Sequence, residues 1–175
     1  MRERELPNRK PNRLKEYDYS QPGAYFVTVC TKNRRMLFGP VGADSISARM
    51  VERTFLETVG QYPHVNAPVY VVMPNHFHAI ITLSRADMES AYMRADIESA
   101  PTATISQVMQ SFKRYSTLEY IKLVKSGVLP PFDGQVWQRS FYDHIIRNED
   151  DYRTIWEYIE NNPAKWTEDR FYANM

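Results

Sequence analysis

With 175 residues, of which 43% are hydrophobic and 25% charged, the chain has the size and composition of one globular domain with a buried core. The longest apolar runs are far too short to span a membrane, and the N-terminal residues lack the apolar segment of a signal peptide. We therefore expect neither an integral membrane protein nor a secreted protein. Cys30 is the only cysteine, which excludes an internal disulfide and is typical of a reducing cytoplasm. We expect a cytoplasmic protein with a single domain over residues 1–175.

Basic residues are concentrated near the N-terminus, although the net charge of the chain is only +1. Residues 1–35 carry nine lysines and arginines against four acids, and residues 1–20 are predicted to be an irregular basic segment. Such a segment can contact phosphate groups, or it can be a solvated tail. The charge pattern alone does not decide between phosphate contact and a solvated tail.

The first half of the chain predicts three strands and one helix. Residues 24–30 are rich in β-branched and aromatic side chains and are predicted to form a strand. Apolar residues at helical spacing predict a helix over about residues 45–62. Strands are predicted over 69–73 and 76–83, and because only Pro74 and Asn75 separate them, the two should form an antiparallel hairpin.

A short internal repeat follows the third strand. Residues 85–91 (RADMESA) recur nine positions later as residues 94–100 (RADIESA). A single pair of copies is too short for a solenoid, so we interpret the repeat as a tandem duplication inside a surface loop, and residues 84–103 as an insertion without a chemical role.

The second half of the chain predicts two helices and a strand-like segment. A long helix is predicted over about 104–125, with an apolar stripe of Ile105, Val108, Met109, Phe112 and Tyr115, so Tyr115 is expected in the core. Residues 136–147 are predicted to be a short strand that turns into a helix. The last helix should begin after Asn148, a favourable N-cap, bury a stripe of Tyr152, Ile155, Trp156 and Ile159, and end near Asn162 before Pro163. This order of elements predicts an α+β fold in which one antiparallel sheet packs against helices.

Two histidines begin the third strand. Side chains alternate along a strand, so His76 and His78 should project from one face, about 7 Å apart along the chain, while Phe77, Ala79, Ile81 and Leu83 face a core. Two such imidazoles can hold a divalent cation if a third ligand comes from elsewhere. His-x-His also arises by chance, and the pair is equally compatible with packed core histidines.

Tyr158 and Asn162 lie outside the buried stripe of the last helix. They are four residues apart and therefore share one flank of that helix. A tyrosine in that position is most often an ordinary surface aromatic, and the asparagine can simply be a cap. A phenol can also be a nucleophile, and a carboxamide oxygen can complete a metal site with two imidazoles.

These segments together resemble a known family. Residues 73–78 (MPNHFH) resemble the HUH motif of single-tyrosine transposases. Residues 137–147 (WQRSFYDHIIR) and 158–165 (YIENNPAK) resemble the REP-associated branch of that family, and the similarity extends to the first strand. The duplicated loop does not match a family motif.

The resemblance implies a ferredoxin-like fold that cuts and rejoins single-stranded DNA at or beside hairpins. On the family pattern His76, His78 and Asn162 hold Mg²⁺ or Mn²⁺, and Tyr158 attacks the phosphate to give a 5′-phosphotyrosine. Arg34, Arg35, Lys113 and Arg114 are the basic residues that we expect to contact the DNA. The family includes monomers and dimers, so a homodimer is one expectation, as is association with the nucleoid when DNA is bound.

Two other functions fit the same residues. One is a metal-dependent phosphoesterase in which the metal activates water and Tyr158 takes no part. The other is a nucleic-acid-binding module without catalysis, in which the histidines are merely packed. A covalent protein–DNA adduct distinguishes the transposase-like function from both.

Overall fold

The computed structural model describes residues 17–41, 45–84 and 103–172. Within these stretches, four strands and three helices occur in chain order: β1 (Gly23–Cys30), α1 (Ile46–Val59), β2 (Val65–Met73), β3 (His76–Leu83), α2 (Ile105–Lys125), β4 (Tyr142–Ile146) and α3 (Glu149–Asn161). Two short 3₁₀ turns, Lys32–Arg34 and Trp166–Glu168, follow β1 and α3. Most of the N-terminal basic segment and most of the duplicated loop lie outside the described residues.

The four strands form one antiparallel sheet in the order β2-β3-β1-β4. This order, with a helix after β1 and another after β3, is that of a ferredoxin-like fold, so the predicted fold class is confirmed. The β2–β3 hairpin pairs Met73 with His76, as the two-residue connection predicts. Strand β2 begins at Val65, four residues before the predicted start, and is irregular between Asn66 and Val69.

The two faces of the sheet are covered by different helices. Helices α1 and α2 cover the main core, which contains the buried side chains of Phe77, Ala79, Ile81 and Leu83, as predicted. Helix α3 packs on the other face, where Ile159 contacts Val69 and Ile80. His76 and His78 share that second face because they alternate with the core residues along β3.

Local signals in the sequence account for the starts of the helices. Ser45 accepts a hydrogen bond from the Ala48 amide, Thr104 and Gln107 form a capping box, and Asn148 accepts a bond from the Asp151 amide. The prediction that residues 136–147 turn from a strand into a helix is wrong in its helical part, since the strand there covers Tyr142–Ile146 and the helix begins only at Glu149, after the Asn148 cap.

The prediction that Tyr115 belongs to the core is wrong. Its side chain is 36% exposed, whereas the next residue, Ser116, is fully buried. At about 100° per residue, Tyr115 lies roughly 80° to 100° from the middle of the buried stripe, while Ser116 lies on it. The Ser116 hydroxyl is satisfied there, because it accepts a hydrogen bond of 2.9 Å from Trp137 Nε1.

In the three described stretches no helix is both long and apolar enough to cross a membrane.

Candidate active site

The histidines of β3 are completely buried between the sheet and the C-terminal part of the chain. The centroids of the two rings are 4.5 Å apart, and the Phe171 ring lies 4.7 Å from that of His76. Two polar rings that lose contact with water need polar partners, so the partners of each nitrogen decide what these residues can do.

Asn75 determines which nitrogen of His76 carries the proton. The Asn75 Nδ2 group donates to the carbonyl oxygens of Phe171 (2.8 Å) and Arg34 (3.3 Å), which turns Oδ1 toward His76 Nδ1 at 2.8 Å. An amide oxygen can only accept, so His76 Nδ1 is the donor and Nε2 keeps its lone pair. Nε2 is buried and has no hydrogen-bond partner among the described residues.

His78 is held by a strand neighbour and faces the last helix. Its Nδ1 lies 2.8 Å from Thr28 Oγ1 on β1, and its Nε2 lies 3.3 Å from the Tyr158 hydroxyl. The Phe26 ring stacks on His78 with centroids 5.2 Å apart, which fixes the plane of the imidazole.

Both imidazoles are neutral at physiological pH. Burial lowers the pKa of His76 to about 4, in spite of the opposing charge of Asp169. Burial, with a smaller contribution from His76, places the pKa of His78 well below its usual value. Neutral imidazole is the form that binds a metal ion.

Helix α3 and the turn after it bring three more polar groups to the histidines. Asn162 is buried, and its Nδ2 donates to Asp169 Oδ2 at 2.7 Å. The Tyr158 hydroxyl donates to the same carboxylate oxygen at 3.1 Å. Asn162 Oδ1 is buried without a hydrogen-bond partner in the described part of the chain. The structure thus brings His76, His78, Tyr158 and Asn162 together.

Asp169 is the residue that sequence reasoning missed. It follows the Trp166–Glu168 turn, in a segment without helical or strand periodicity, and its Oδ1 accepts a hydrogen bond of 2.6 Å from the Phe171 amide. The only signal in the sequence is an acid seven residues beyond Asn162. The position of Asp169 beside Asn162 and the histidines is determined by the turn and not by a repeating sequence pattern.

The Tyr158 phenol is protonated at neutral pH and partly accessible. Its side chain is 39% exposed. Burial of the ring, together with the Asp169 carboxylate, raises the pKa of Tyr158 to about 12. An open cleft of about 320 Å³ lies beside it, and the residues lining this cleft include Glu157, Asn161, Asn162, Lys165 and Asp169.

The four residues predicted to contact DNA are in different environments. Arg34 lies over the Phe171 ring, with Cζ 5.4 Å from its centroid, and therefore shares a neighbour with the histidines. The Arg35 guanidinium donates to the carbonyl oxygens of Asp133 and Gln135. Arg114, on α2, lies over the Tyr115 ring.

Lys113 is the fourth of these residues. Its ammonium group donates to the carbonyl oxygens of Gln138 and Arg139, and burial lowers the pKa of Lys113 to about 8. This lysine therefore ties α2 to the segment before β4.

The buried donor atoms fit a divalent metal ion. One ligand atom each from His76, His78 and Asp169 lie within 4.8 Å of one another. His76 Nε2 and Asn162 Oδ1, two buried atoms whose lone pairs have no hydrogen-bond donor in the described stretches, adjoin this cluster. Imidazole and carboxylate or carboxamide oxygens together form a donor set that accepts several divalent metals, Mn²⁺ among them.

Comparison with known proteins finds relatives that match most of the chain. It is 33% identical over 180 residues to an uncharacterised protein of Haemophilus influenzae, with 97% of this chain and 96% of that protein covered. It is 26% identical over 148 residues to the REP-associated tyrosine transposase of Escherichia coli K12, with 84% and 70% covered. No family model matches the chain.

A solved structure with a similar fold is that of the REP-associated tyrosine transposase bound to a REP hairpin. The TM-score is 0.58 at 24% identity, and the match covers 87% of this chain and 74% of the other. The fold and the transposase relatives define an enzyme of the transposase class. More narrowly, these similarities support a tyrosine transposase of the REP-associated type.

Proposed function

We propose that this protein is an HUH-type nicking and joining enzyme that cuts single-stranded DNA at hairpins and transfers the cut strand through a 5′-phosphotyrosine on Tyr158. The observation that carries the proposal is the contact of the Tyr158 hydroxyl with both His78 Nε2 (3.3 Å) and Asp169 Oδ2 (3.1 Å). Two buried atoms that have no partner among the described residues lie beside this contact. The solved relative bound to a REP hairpin supports hairpin DNA as the partner.

We propose Mg²⁺ or Mn²⁺ as the metal, held by His76, His78 and Asn162, with Asp169 as a further candidate ligand. When bound, such a cation supplies positive charge that offsets the negative charge developing on the phosphoryl oxygens. Asn75 holds His76 in the orientation and tautomer that coordination requires, and Thr28 holds the His78 ring in place.

Strand cleavage requires the Tyr158 phenol to lose its proton as it attacks. Asp169 Oδ2 accepts the hydrogen bond of that hydroxyl and is therefore placed to take the proton. The phenolic oxygen forms a bond to phosphorus, the bond from phosphorus to the 3′ oxygen breaks, and that oxygen takes a proton and leaves as a 3′-hydroxyl. The phosphate stays on the protein as a diester, so the reverse attack by a 3′-hydroxyl reseals DNA without an external energy source.

The proposal is tested with a pool of DNA hairpins that carry randomised single-stranded flanks. Each hairpin is labelled at its 5′ end in one reaction and at its 3′ end in another, incubated with Mn²⁺, and separated on a denaturing gel. A 5′-phosphotyrosine predicts that the 3′ label moves with the protein, while the 5′ label appears in a free fragment that ends in a 3′-hydroxyl.

Other outcomes favour the alternative functions. If both labels appear only in free fragments, the protein is a phosphoesterase that uses activated water, and Tyr158 is not a nucleophile. If hairpins bind equally well with EDTA and Mn²⁺ and are never cut, the protein is a binding module.

A further inference from the structure

Two arginines lie on the aromatic ring that packs against the candidate metal ligands. The guanidinium carbon of Arg170 is 4.6 Å from the centroid of Phe171, and that of Arg34 is 5.4 Å away. The buried Phe171 ring in turn lies 4.7 Å from the His76 ring and 5.9 Å from the His78 ring. Both arginines are exposed, so the ring holds their charges at the solvent side of the buried site.

Neither of these arginines has a carboxylate within ion-pair distance in the described part of the chain. Arg53 and Arg153, by contrast, are paired with Glu57 and Asp150 on their own helices. Two like charges that share one ring repel each other, and their combined field favours an anion nearby.

The backbone that presents Arg34 is held in an uncommon conformation. Asn33 and Arg34 both have a left-handed conformation, with φ of 57° and 54°. The Arg34 carbonyl accepts a hydrogen bond from Asn75, the residue that orients His76, and the Arg34 side chain donates to the Arg170 carbonyl at 3.4 Å. Such conformations persist only where surrounding contacts hold them, and they are common at functional sites.

We propose that Arg34 and Arg170 bind a phosphate group of the single-stranded DNA backbone next to the phosphate that Tyr158 attacks. This inference rests on the proposed function for the identity of the ligand as DNA. A guanidinium is a planar donor whose N–H groups match the oxygens of a phosphate diester. Arg170 directly follows Asp169, which contacts the Tyr158 hydroxyl, so a phosphate bound there would position the strand relative to the nucleophile.

The test measures binding of a short fluorescein-labelled oligothymidylate without metal, as a function of KCl concentration. For single strands the slope of log K against log salt changes by about 0.7 for each phosphate contact. Arg170→Ala and Arg34→Ala should each make the slope shallower by about that amount. Arg170→Lys, which keeps the charge, should largely keep the slope.

The matched control is Arg53→Ala, which removes the same charge from α1 on the opposite face of the sheet and should leave the slope unchanged. Unchanged slopes in both Arg34→Ala and Arg170→Ala, or no binding by the wild-type protein, would overturn the inference. The hairpin assay separates this failure from failure of the proposed function. If the wild type forms the adduct but the salt slopes of both arginine variants equal that of the wild type, only the proposed phosphate site is wrong. If the arginine variants have shallower salt slopes but the wild type forms no adduct, only the phosphotyrosine chemistry is wrong.

Discussion

Replacement of Asn75 by alanine should weaken both the fold and metal binding. The buried Asn75 amide makes hydrogen bonds of 2.8 Å with the Phe171 carbonyl and 2.8 Å with His76 Nδ1, and a longer one of 3.3 Å with the Arg34 carbonyl. At about 1 kcal/mol for each bond, the free energy of unfolding should fall by about 3 kcal/mol. This corresponds to a decrease in Tm of about 10 °C for a chain of this length.

The effect on the metal follows from the tautomer of His76. Without the Asn75 oxygen, nothing described in the structure selects the ring form that is protonated on Nδ1, so Mn²⁺ affinity should fall by about 10-fold to 100-fold. Calorimetric titration with Mn²⁺ and urea denaturation measure the two effects. Asn66→Ala, which removes an exposed asparagine from β2, is the control and should bind Mn²⁺ like the wild type.

Asn75→Asp distinguishes the tautomer effect from general damage. Its carboxylate still accepts the His76 Nδ1 proton but repels the carbonyls of Phe171 and Arg34, so stability should fall while Mn²⁺ affinity stays within a few-fold of the wild type. Wild-type affinity in Asn75→Ala, or an equal loss in both variants, would refute the role assigned to Asn75.

Three further predictions concern the metal site, its pH dependence and the duplicated loop. His76→Ala and His78→Ala should each abolish calorimetric Mn²⁺ binding, and wild-type binding in either variant would exclude that histidine as a ligand. Folding lowers the pKa of His76 from 6.5 to about 4, so the metal-free protein should have its full stability above pH 6.5. As the pH falls to 4, the free energy of unfolding should decrease by about 3 kcal/mol through this residue. Urea denaturation across this pH range measures the decrease, and a stability that does not change with pH would contradict the prediction. Deletion of residues 85–93 should change the free energy of unfolding by less than about 1 kcal/mol, and loss of soluble expression would show that the loop packs on the domain.

Periodicity in the sequence predicted the elements that carry the site. Alternation along β3 placed His76 and His78 on one face and Phe77 on the other, and helical spacing placed Tyr158 on a flank of α3 that is not buried. These predictions succeeded because side-chain direction within a regular element depends only on position in the repeat.

The errors and omissions have two physical causes. Tyr115 was assigned to the core because a helical stripe can continue three or four residues after Phe112, but Ser116 lies on the stripe, where it contacts Trp137, and Tyr115 lies beside it. Asp169 and Arg170 lie in an irregular turn, whose contacts depend on tertiary structure. A sequence pattern has no means of indicating that this turn folds back onto the histidines.

The central claim is that Tyr158 is the nucleophile, and Tyr158→Phe tests it most directly. The substitution removes one oxygen from a side chain that is 39% exposed, and leaves His76, His78 and Asn162 unchanged, so folding, Mn²⁺ binding and hairpin binding should persist. Tyr115→Phe is a well-matched control, because that side chain is 36% exposed and lies on α2, on the other face of the sheet.

The decisive measurement is the amount of 3′-labelled DNA that remains attached to the protein on a denaturing gel. The wild type and Tyr115→Phe should both give the labelled adduct, and Tyr158→Phe should give neither adduct nor cleavage. An adduct of normal yield in Tyr158→Phe would place the nucleophile on another residue and contradict the account.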